Sequence, residues 1–400
     1  MIIQTYFWGI LIKSHNFVGK NLCQHSTAQH STAQHSTAQH STAQHSTAQH
    51  STAQQKKRIE WLDALRGFTM ILVILNHVAA YDFGIDVFHA GNFHFYLQKF
   101  RMPLFFFVSG FLIYKSNFAW NLANIKSFLS KKIVVQIISP LIFLLCYIFY
   151  KDYDVVETLT HASKRGYWFT FALFNYFIVY IVVKVLLGLK KVKEGYALTT
   201  LLLIGAVLYI LPMKNILLNC GIPVAVLNLC SVEYMFYFIF FVIGACVKRY
   251  FKQFENLLDN YFLLTIAIVV YFVVNLVFDH TNERYLLAMS TKFILAICGI
   301  IITFGFFRKN EKFFANDNKV AKTLKFIGQR TLDIYLIHYF FLSFNLPKIF
   351  PFFTEHNLPL FEFATSLFVT AIVISACLFI SSVLRTSNTL ASFLFGDKKL

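Results

Sequence analysis

After the basic triplet at 56–58, the chain consists of long apolar segments separated by short polar breaks. A helix needs about 20 apolar residues to cross the hydrocarbon core of a bilayer. Two of the segments, the second and the sixth, are short, and we expect them to extend into flanking residues, as far as Trp120 for the second. The sequence therefore predicts an all-α integral membrane protein of about ten transmembrane helices. The segments are Ala64–Tyr81, Met102–Tyr114, Ile133–Tyr150, Trp168–Leu189, Tyr196–Leu211, Val232–Val247, Tyr261–Phe278, Leu286–Phe307, Leu324–Phe344 and Leu360–Leu384.

The composition argues against a soluble enzyme. Apolar residues make up 57% of the chain and charged residues 14%, whereas a soluble domain carries about 25% charged residues. In a soluble protein, a net charge of +17 would suggest nucleic acid as a partner. In a membrane protein, however, Lys and Arg gather in the cytoplasmic loops. We therefore expect the lipid bilayer as a partner, and no nucleic acid.

The loop charges also predict the orientation. If the N-terminus is cytoplasmic, alternate loops hold most of the 36 Lys and Arg residues. This alternation predicts that both termini lie in the cytoplasm.

Residues 1–55 differ from the rest of the chain. Six tandem copies of His-Ser-Thr-Ala-Gln run from His25 to Gln54. A five-residue polar unit has no apolar face to stack, so we expect a disordered, low-complexity leader. No second ligand type accompanies the repeated histidines, and the seven cysteines form no ligand cluster. The sequence therefore predicts no metal site.

The repeat has a genetic interpretation. Each His-Ser-Thr-Ala-Gln unit can be encoded as three copies of CACAG, and gain or loss of one five-base copy shifts the reading frame. The leader is then a by-product of an on/off expression switch at the DNA level, that is, of phase variation.

The first apolar segment carries the strongest candidate site. Arg66 and His77 are eleven residues apart, which on a helix is about three turns and about 16 Å along the axis, on roughly one face. A guanidinium at the cytoplasmic mouth suits a phosphate-bearing ligand, and an imidazole deep in the bundle suits a general base. Asp63 is placed to pair with Arg66, and Asn76 to orient His77 or a substrate.

Two further places have simpler interpretations. The stretch from Arg101 to Leu112 contains the small pair Ser109-Gly110, which lets another helix approach closely, so it indicates packing. The basic pair Lys131-Lys132 either holds phosphates or sets the topology.

The ninth segment carries Asp333, Tyr335 and His338 within an apolar helix. Tyr335 and His338 are three residues apart and share a helix face. Ionisable groups inside a membrane are functional candidates by default.

Three of these stretches together resemble the membrane acyltransferase family 3. They are the run from Ile59 through Arg66-Gly67 to His77, the stretch Met102-Pro-Leu-Phe-Phe-Phe-Val-Ser-Gly110, and Gly328-Gln-Arg-Thr-Leu-Asp-Ile-Tyr-Leu-Ile-His338. The resemblance covers about Arg58 to Leu384, within a membrane domain expected at 58–390. It corresponds to the short form of the family, without a soluble C-terminal domain.

The resemblance implies O-acetylation of surface polysaccharides or lipopolysaccharide in the bacterial inner membrane. The donor would be acetyl-CoA, a substrate rather than a bound cofactor, and the acceptor a glycan or a lipid-linked sugar. His77 and Arg66 would be catalytic, while relatives often carry an Arg-containing motif where this chain has Lys131-Lys132 and Gln136. The residues expected to bind donor or substrate are Asp63, Asn76, Ser109, Lys131, Lys132, Tyr335 and His338.

Two alternatives fit the same spans and buried charges. A transporter or flippase would commonly show repeated halves with broken helices, and no such symmetry is visible in the sequence. A membrane N-acetyltransferase of amino sugars would share the Leu-Asp-x-Leu-Arg-Gly start and an intramembrane His. The Met-Pro-Leu-Phe-Phe-Phe-Val-Ser-Gly stretch argues against it.

Overall fold

The computed structural model describes residues 59–87, 93–116, 118–278, 284–316, 318–342, 350–356 and 358–396. Helices joined by short turns make up this part of the chain, and it contains no strand. The prediction of an all-α protein is therefore confirmed. The leader expected at 1–55, with its repeat, lies outside the described residues.

The bounds of the helices follow the apolar segments and add short helices between them. Short π-helical turns lie at Val78–Asp82 and Val134–Ile138, and 3-10 turns lie at Lys164–Gly166, Val232–Tyr237 and His338–Phe340. The α-helices are α1 Glu60–His77, α2 Phe93–Ile113, α3 Leu122–Ile133, α4 Ser139–Lys151, α5 Val155–Thr160, α6 Trp168–Leu189, α7 Glu194–Ile210, α8 Met213–Asn219, α9 Val224–Leu229, α10 Phe238–Arg249, α11 Phe251–Leu258, α12 Tyr261–Val277, α13 Tyr285–Lys309, α14 Glu311–Ala315, α15 Lys319–Gln329, α16 Thr331–Ile337, α17 Phe350–Glu355, α18 Pro359–Leu384 and α19 Asn388–Phe395.

Several helices are suited to a bilayer. Within the described ranges, five are long and apolar enough to span one. Two further pairs are bent, α7 with α8 and the helix Val232–Arg249 with α11, and the number rises to as many as seven if each pair is one span. The five are Glu60–Asp82, Leu122–Lys151, Trp168–Leu189, Tyr285–Lys309 and Pro359–Leu384. The chain is a multi-pass membrane protein, and the count of ten spans stays a prediction.

The second segment extends in the direction opposite to the one expected. Helix α2 begins at Phe93 and ends at Ile113, so the extension to Trp120 is wrong. Buried His94 lies in the upstream part and lowers its apolar signal, although it faces protein rather than water. Downstream, the Asn121 side chain accepts a hydrogen bond from the backbone N–H of Asn124 and starts the next helix.

The ninth segment is broken where the sequence suggested continuity. Helix α15 ends at Gln329 and α16 begins at Thr331, because Arg330 between them leaves helical geometry, with φ −110° and ψ 19°. The break directs α16 back against α1 and α18.

Reciprocal glycine contacts lock two helix pairs. A Cβ on Gly67 of α1 would lie 2.0 Å from the carbonyl oxygen of Leu324, and one on Gly328 of α15 would lie 1.8 Å from that of Asp63. Gly110 of α2 is packed in the same way against α10, as expected from the small pair at 109–110. Since no side chain fits at these glycines, α1 packs backbone to backbone against α15, and α2 does so against α10.

Candidate functional site

A cavity of about 470 Å³ lies between α1, α2, the α3–π–α4 helix, α6 and α16. Both Arg66 and His77 line it, as their shared helix face predicts. The polar side chains in its wall are Arg66, His77, Arg101, Ser109, Lys115, Lys132, Gln136, Thr170, Thr331, Tyr335 and Tyr339, with Trp168 among the aromatic ones.

Helices α1 and α2 run antiparallel along this cavity. Trp61 near the start of α1 and Phe111 near the end of α2 both pack against Phe304 of α13. The wall therefore has one end near Arg66 and Lys115, and another, about 16 Å away along α1, near His77.

We call the group Arg66, Lys115 and Lys132 the basic end. Lys132 interacts electrostatically with both other cations, which places the three together. Arg66 donates hydrogen bonds to Thr331 Oγ1 at 2.9 Å and to Asp63 Oδ1 at 3.4 Å, so its guanidinium is held in place. The orientation predicted from the loop charges would place this end on the cytoplasmic side.

The two neighbouring lysines 131 and 132 have different environments. Lys132 Nζ lies 4.6 Å from the ring centre of Phe177 and 5.6 Å from that of Phe128. Lys131 is exposed and does not line the cavity. Of the predicted basic pair, the structure brings only Lys132 to the site.

We call the group His77, Arg101 and Tyr339 the histidine end. The hydroxyl oxygen of Tyr339 lies 3.4 Å from His77 Nε2. The rings of His338 and Tyr81 flank that of His77, with centroids 5.3 and 5.7 Å away. Arg101 interacts electrostatically with His77, so a cation lies close to the candidate base.

Arg101 and Tyr339 are functional candidates that the sequence reasoning missed. Arg101 was interpreted as part of a packing segment, although an arginine two residues before Pro103 in an apolar helix was a signal in itself. Tyr339 directly follows the predicted His338, but nothing local indicates that its hydroxyl reaches α1.

The other predicted residues are placed in two groups. Tyr335 and Ser109 line the cavity, but their hydroxyls donate to the carbonyl oxygens of Gly166 at 3.1 Å and Phe105 at 2.9 Å. The structure does not bring the remaining ones, Asp63, Asn76 and His338, to the cavity wall.

Asp333 belongs to a separate cluster outside the cavity. Arg385 donates to its two carboxylate oxygens at 2.7 and 2.9 Å, and Ser381 donates to it as well. Arg330 lies 3.5 Å away. This carboxylate ties α16 to α18 and does not line the cavity.

The cavity is positively charged. Arg66, Arg101, Lys115 and Lys132 line it, and within the described part of the chain no Asp or Glu does. The described residues also contain no group of three or more His, Cys, Asp or Glu side chains that could hold a metal ion. The wall is therefore suited to an anionic ligand.

Comparison with known proteins agrees with this geometry. No curated protein and no solved structure matches the chain. Residues 59–382 match the acyltransferase family 3, whose model is described as an acyltransferase domain. The match covers all the helices that build the cavity, and the chain belongs to this family of acyltransferase enzymes.

Proposed function

We propose that this membrane acyltransferase transfers an acetyl group from cytoplasmic acetyl-CoA to a hydroxyl of a cell-surface glycan, or of its lipid-linked precursor, in the inner membrane of a bacterium. One observation carries the proposal. A single cavity joins the basic end to the histidine end, and helix α1 supplies Arg66 to the first and His77 to the second.

The basic end suits the donor. Coenzyme A carries several phosphates, and guanidinium and ammonium groups bind phosphate oxygens through charge-assisted hydrogen bonds. With these phosphates near Arg66 and Lys132, the pantetheine arm runs along the cavity and the thioester reaches the histidine end. The apolar wall, which includes Met70 and Val73, suits such a chain.

The histidine end suits acyl transfer. A sugar hydroxyl oxygen attacks the thioester carbonyl carbon while His77 accepts the hydroxyl proton. The tetrahedral intermediate then collapses, the C–S bond breaks, and the leaving thiolate takes the proton from His77. The products are an acetyl ester and coenzyme A, and no further reactant is needed.

The central experiment uses the full chain in nanodiscs. It is given acetyl-CoA radiolabelled in the acetyl group and lipopolysaccharide or glycolipid from a strain lacking the gene. We expect alkali-labile label on the glycan and one free thiol released per acetyl group. Alkali-stable label would indicate N-acetylation instead, and glycan movement across vesicles with no thiol release would indicate a transporter.

The basic end has its own test, in which Lys131 is the matched control for Lys132. Lys132→Gln and Arg66→Gln should each raise KM for acetyl-CoA about ten-fold or more, because a charged hydrogen bond contributes about 1.5–3 kcal/mol. KM for S-acetylpantetheine, which lacks the nucleotide phosphates, should not change. Lys131→Gln should behave as wild type, and an equal effect of Lys131→Gln would contradict the assignment.

We also propose that expression of the protein is phase-variable, and that the DNA repeat encoding His25–Gln54 is the on/off switch. Sequencing of the gene from single colonies should show a perfect CACAG array whose copy number differs between expressing and non-expressing cells. Synonymous codons that interrupt the array would exclude the switch.

A further inference from the structure

Arg101 is a cation with unused hydrogen-bond donors inside the bundle. Its Nε and Nη1 atoms are buried and have no hydrogen-bond partner among the described residues, while the side chain lines the cavity. Leaving such donors unpaired is unfavourable, because a buried charge needs hydrogen bonds or a counter-ion.

Among the described residues that act electrostatically on Arg101, none is a carboxylate. The side chains that act most strongly on Arg101 electrostatically are the phenols of Tyr237, Tyr339 and Tyr81. The histidines that it influences, His77 and His94, carry no negative charge. In the described wall of the cavity there is no acidic side chain at all. The arginine is therefore positioned for an anion that the protein itself does not supply.

Acyl transfer generates such an anion next to His77. The carbonyl oxygen of the thioester becomes an oxyanion when the acceptor hydroxyl adds, and preorganised donors stabilise it. The hydroxyls of Ser109 and Tyr335 already donate to backbone carbonyls. Neither Asn76 nor His338 reaches the wall.

The geometry points to Arg101 as the catalytic residue that stabilises this oxyanion, an assignment that rests on the proposed acyl-transfer function. As the C–O bond to the acceptor forms, the carbonyl π electrons move to the oxygen and the guanidinium donates to it. When the carbonyl re-forms and the C–S bond breaks, the charge passes to the thiolate, which His77 then protonates. Arg101 itself transfers no proton.

The test measures steady-state kinetics and thermal unfolding of the same nanodisc samples. Arg101→Met keeps most of the side-chain volume and removes the charge. It should lower kcat about 10²–10³-fold, the usual effect of losing one oxyanion donor, with KM for acetyl-CoA and for the glycan within about two-fold. Its unfolding temperature should equal or exceed that of wild type, because an uncompensated buried cation is removed.

Two more variants sharpen the test. Arg101→Lys keeps the charge but not the planar fork, so it should recover part of kcat. Lys99→Met, on the same helix but outside the cavity wall, is the control and should keep wild-type kinetics.

Three results would overturn the assignment while leaving the proposed function intact. The first is an Arg101→Met protein with wild-type kcat and wild-type KM. The second is wild-type kcat with a raised KM for the glycan, which would make Arg101 a ligand for an anionic acceptor. The third is a loss of thermal stability together with the loss of activity. A wild-type protein that transfers no acetyl group would instead overturn the proposed function, and the role of Arg101 with it.

Discussion

The cluster around Asp333 and the histidine end both contain buried charged side chains, and they differ in how completely their polar atoms are paired. The carboxylate of Asp333 is contacted by Arg385, Arg330 and Ser381. At the histidine end, two Arg101 donors have no partner among the described residues, and the nearest hydroxyl to His77 Nε2 is 3.4 Å away.

The difference separates structure from chemistry. A group whose bonding capacity is filled by its own protein holds helices together, and its removal leaves buried partners unpaired. A group that the fold leaves unfilled has capacity for a ligand. Substitution of a filled group should therefore lower the thermal stability, whereas substitution of an unfilled group should lower turnover.

The largest effect is expected for His77→Ala. The loss of a general base lowers kcat about 10²–10⁴-fold. The contact of His77 Nε2 with the Tyr339 hydroxyl is long, at 3.4 Å, so its loss should cost little stability. The measurement is the thiol release rate with saturating acetyl-CoA, together with the unfolding temperature, which should not change.

His356→Ala is the control, because that histidine is exposed and its imidazole bonds the backbone carbonyl oxygen of Phe352 in the preceding helix. Normal turnover in His77→Ala would exclude His77 as the general base. A loss of turnover explained by unfolded protein would make the role of His77 structural.

The next effect is expected for Asp333→Asn. Neutralising this carboxylate removes the negative charge that the Arg385 and Arg330 guanidinium groups share, and breaking a buried pair costs about 3–5 kcal/mol. The unfolding temperature in nanodiscs should fall markedly, while kcat per folded molecule stays near wild type because Asp333 does not line the cavity.

Glu60→Gln is the matched control. Its ion pair with Lys325 spans 2.6 Å but the Glu60 side chain is 46% exposed, so the change should cost about 1 kcal/mol or less. If both variants unfold at the same temperature, the Asp333 cluster is not the structural centre that its contacts suggest.

The same contrast explains what the sequence predicts and what it does not. The helical class and the sharing of one cavity by Arg66 and His77 follow from local spacing, since a helix fixes which positions share a face. The extent of α2 does not, because His94 and Arg101 lower the apolar signal of a helix whose polar positions face protein. The division of Lys131 from Lys132 follows only from the packing of α6, and the contact of Tyr339 with α1 only from the break at Arg330.

A smaller effect is expected for Gly110→Ala. Its added Cβ would lie 1.7 Å from the carbonyl oxygen of Phe241, so α2 and α10 must separate. Overpacking of this kind costs about 1–3 kcal/mol, which should be visible as a lower unfolding temperature. Turnover should fall only as far as the cavity wall on α2 shifts.

Gly188→Ala in α6 is the control, because a Cβ there meets nothing within 4 Å. It should be neutral or slightly stabilising, since Ala favours helix over Gly by about 1 kcal/mol. Equal destabilisation by both variants would mean that close contact at Gly110 does not limit the fold.

The smallest effect sharpens the comparison most, because it uses two tyrosines in the same cavity wall. The Tyr335 hydroxyl donates to the carbonyl oxygen of Gly166, whereas the Tyr339 hydroxyl lies beside His77 Nε2. A neutral hydrogen bond contributes about 0.5–1.5 kcal/mol. Tyr335→Phe should therefore lower the unfolding temperature and keep kcat, and Tyr339→Phe should keep the unfolding temperature and lower kcat about three- to ten-fold. If Tyr335→Phe instead lowered kcat and Tyr339→Phe lowered the unfolding temperature, side chains without a hydrogen-bond partner in the protein would not be the ones that act on the substrate.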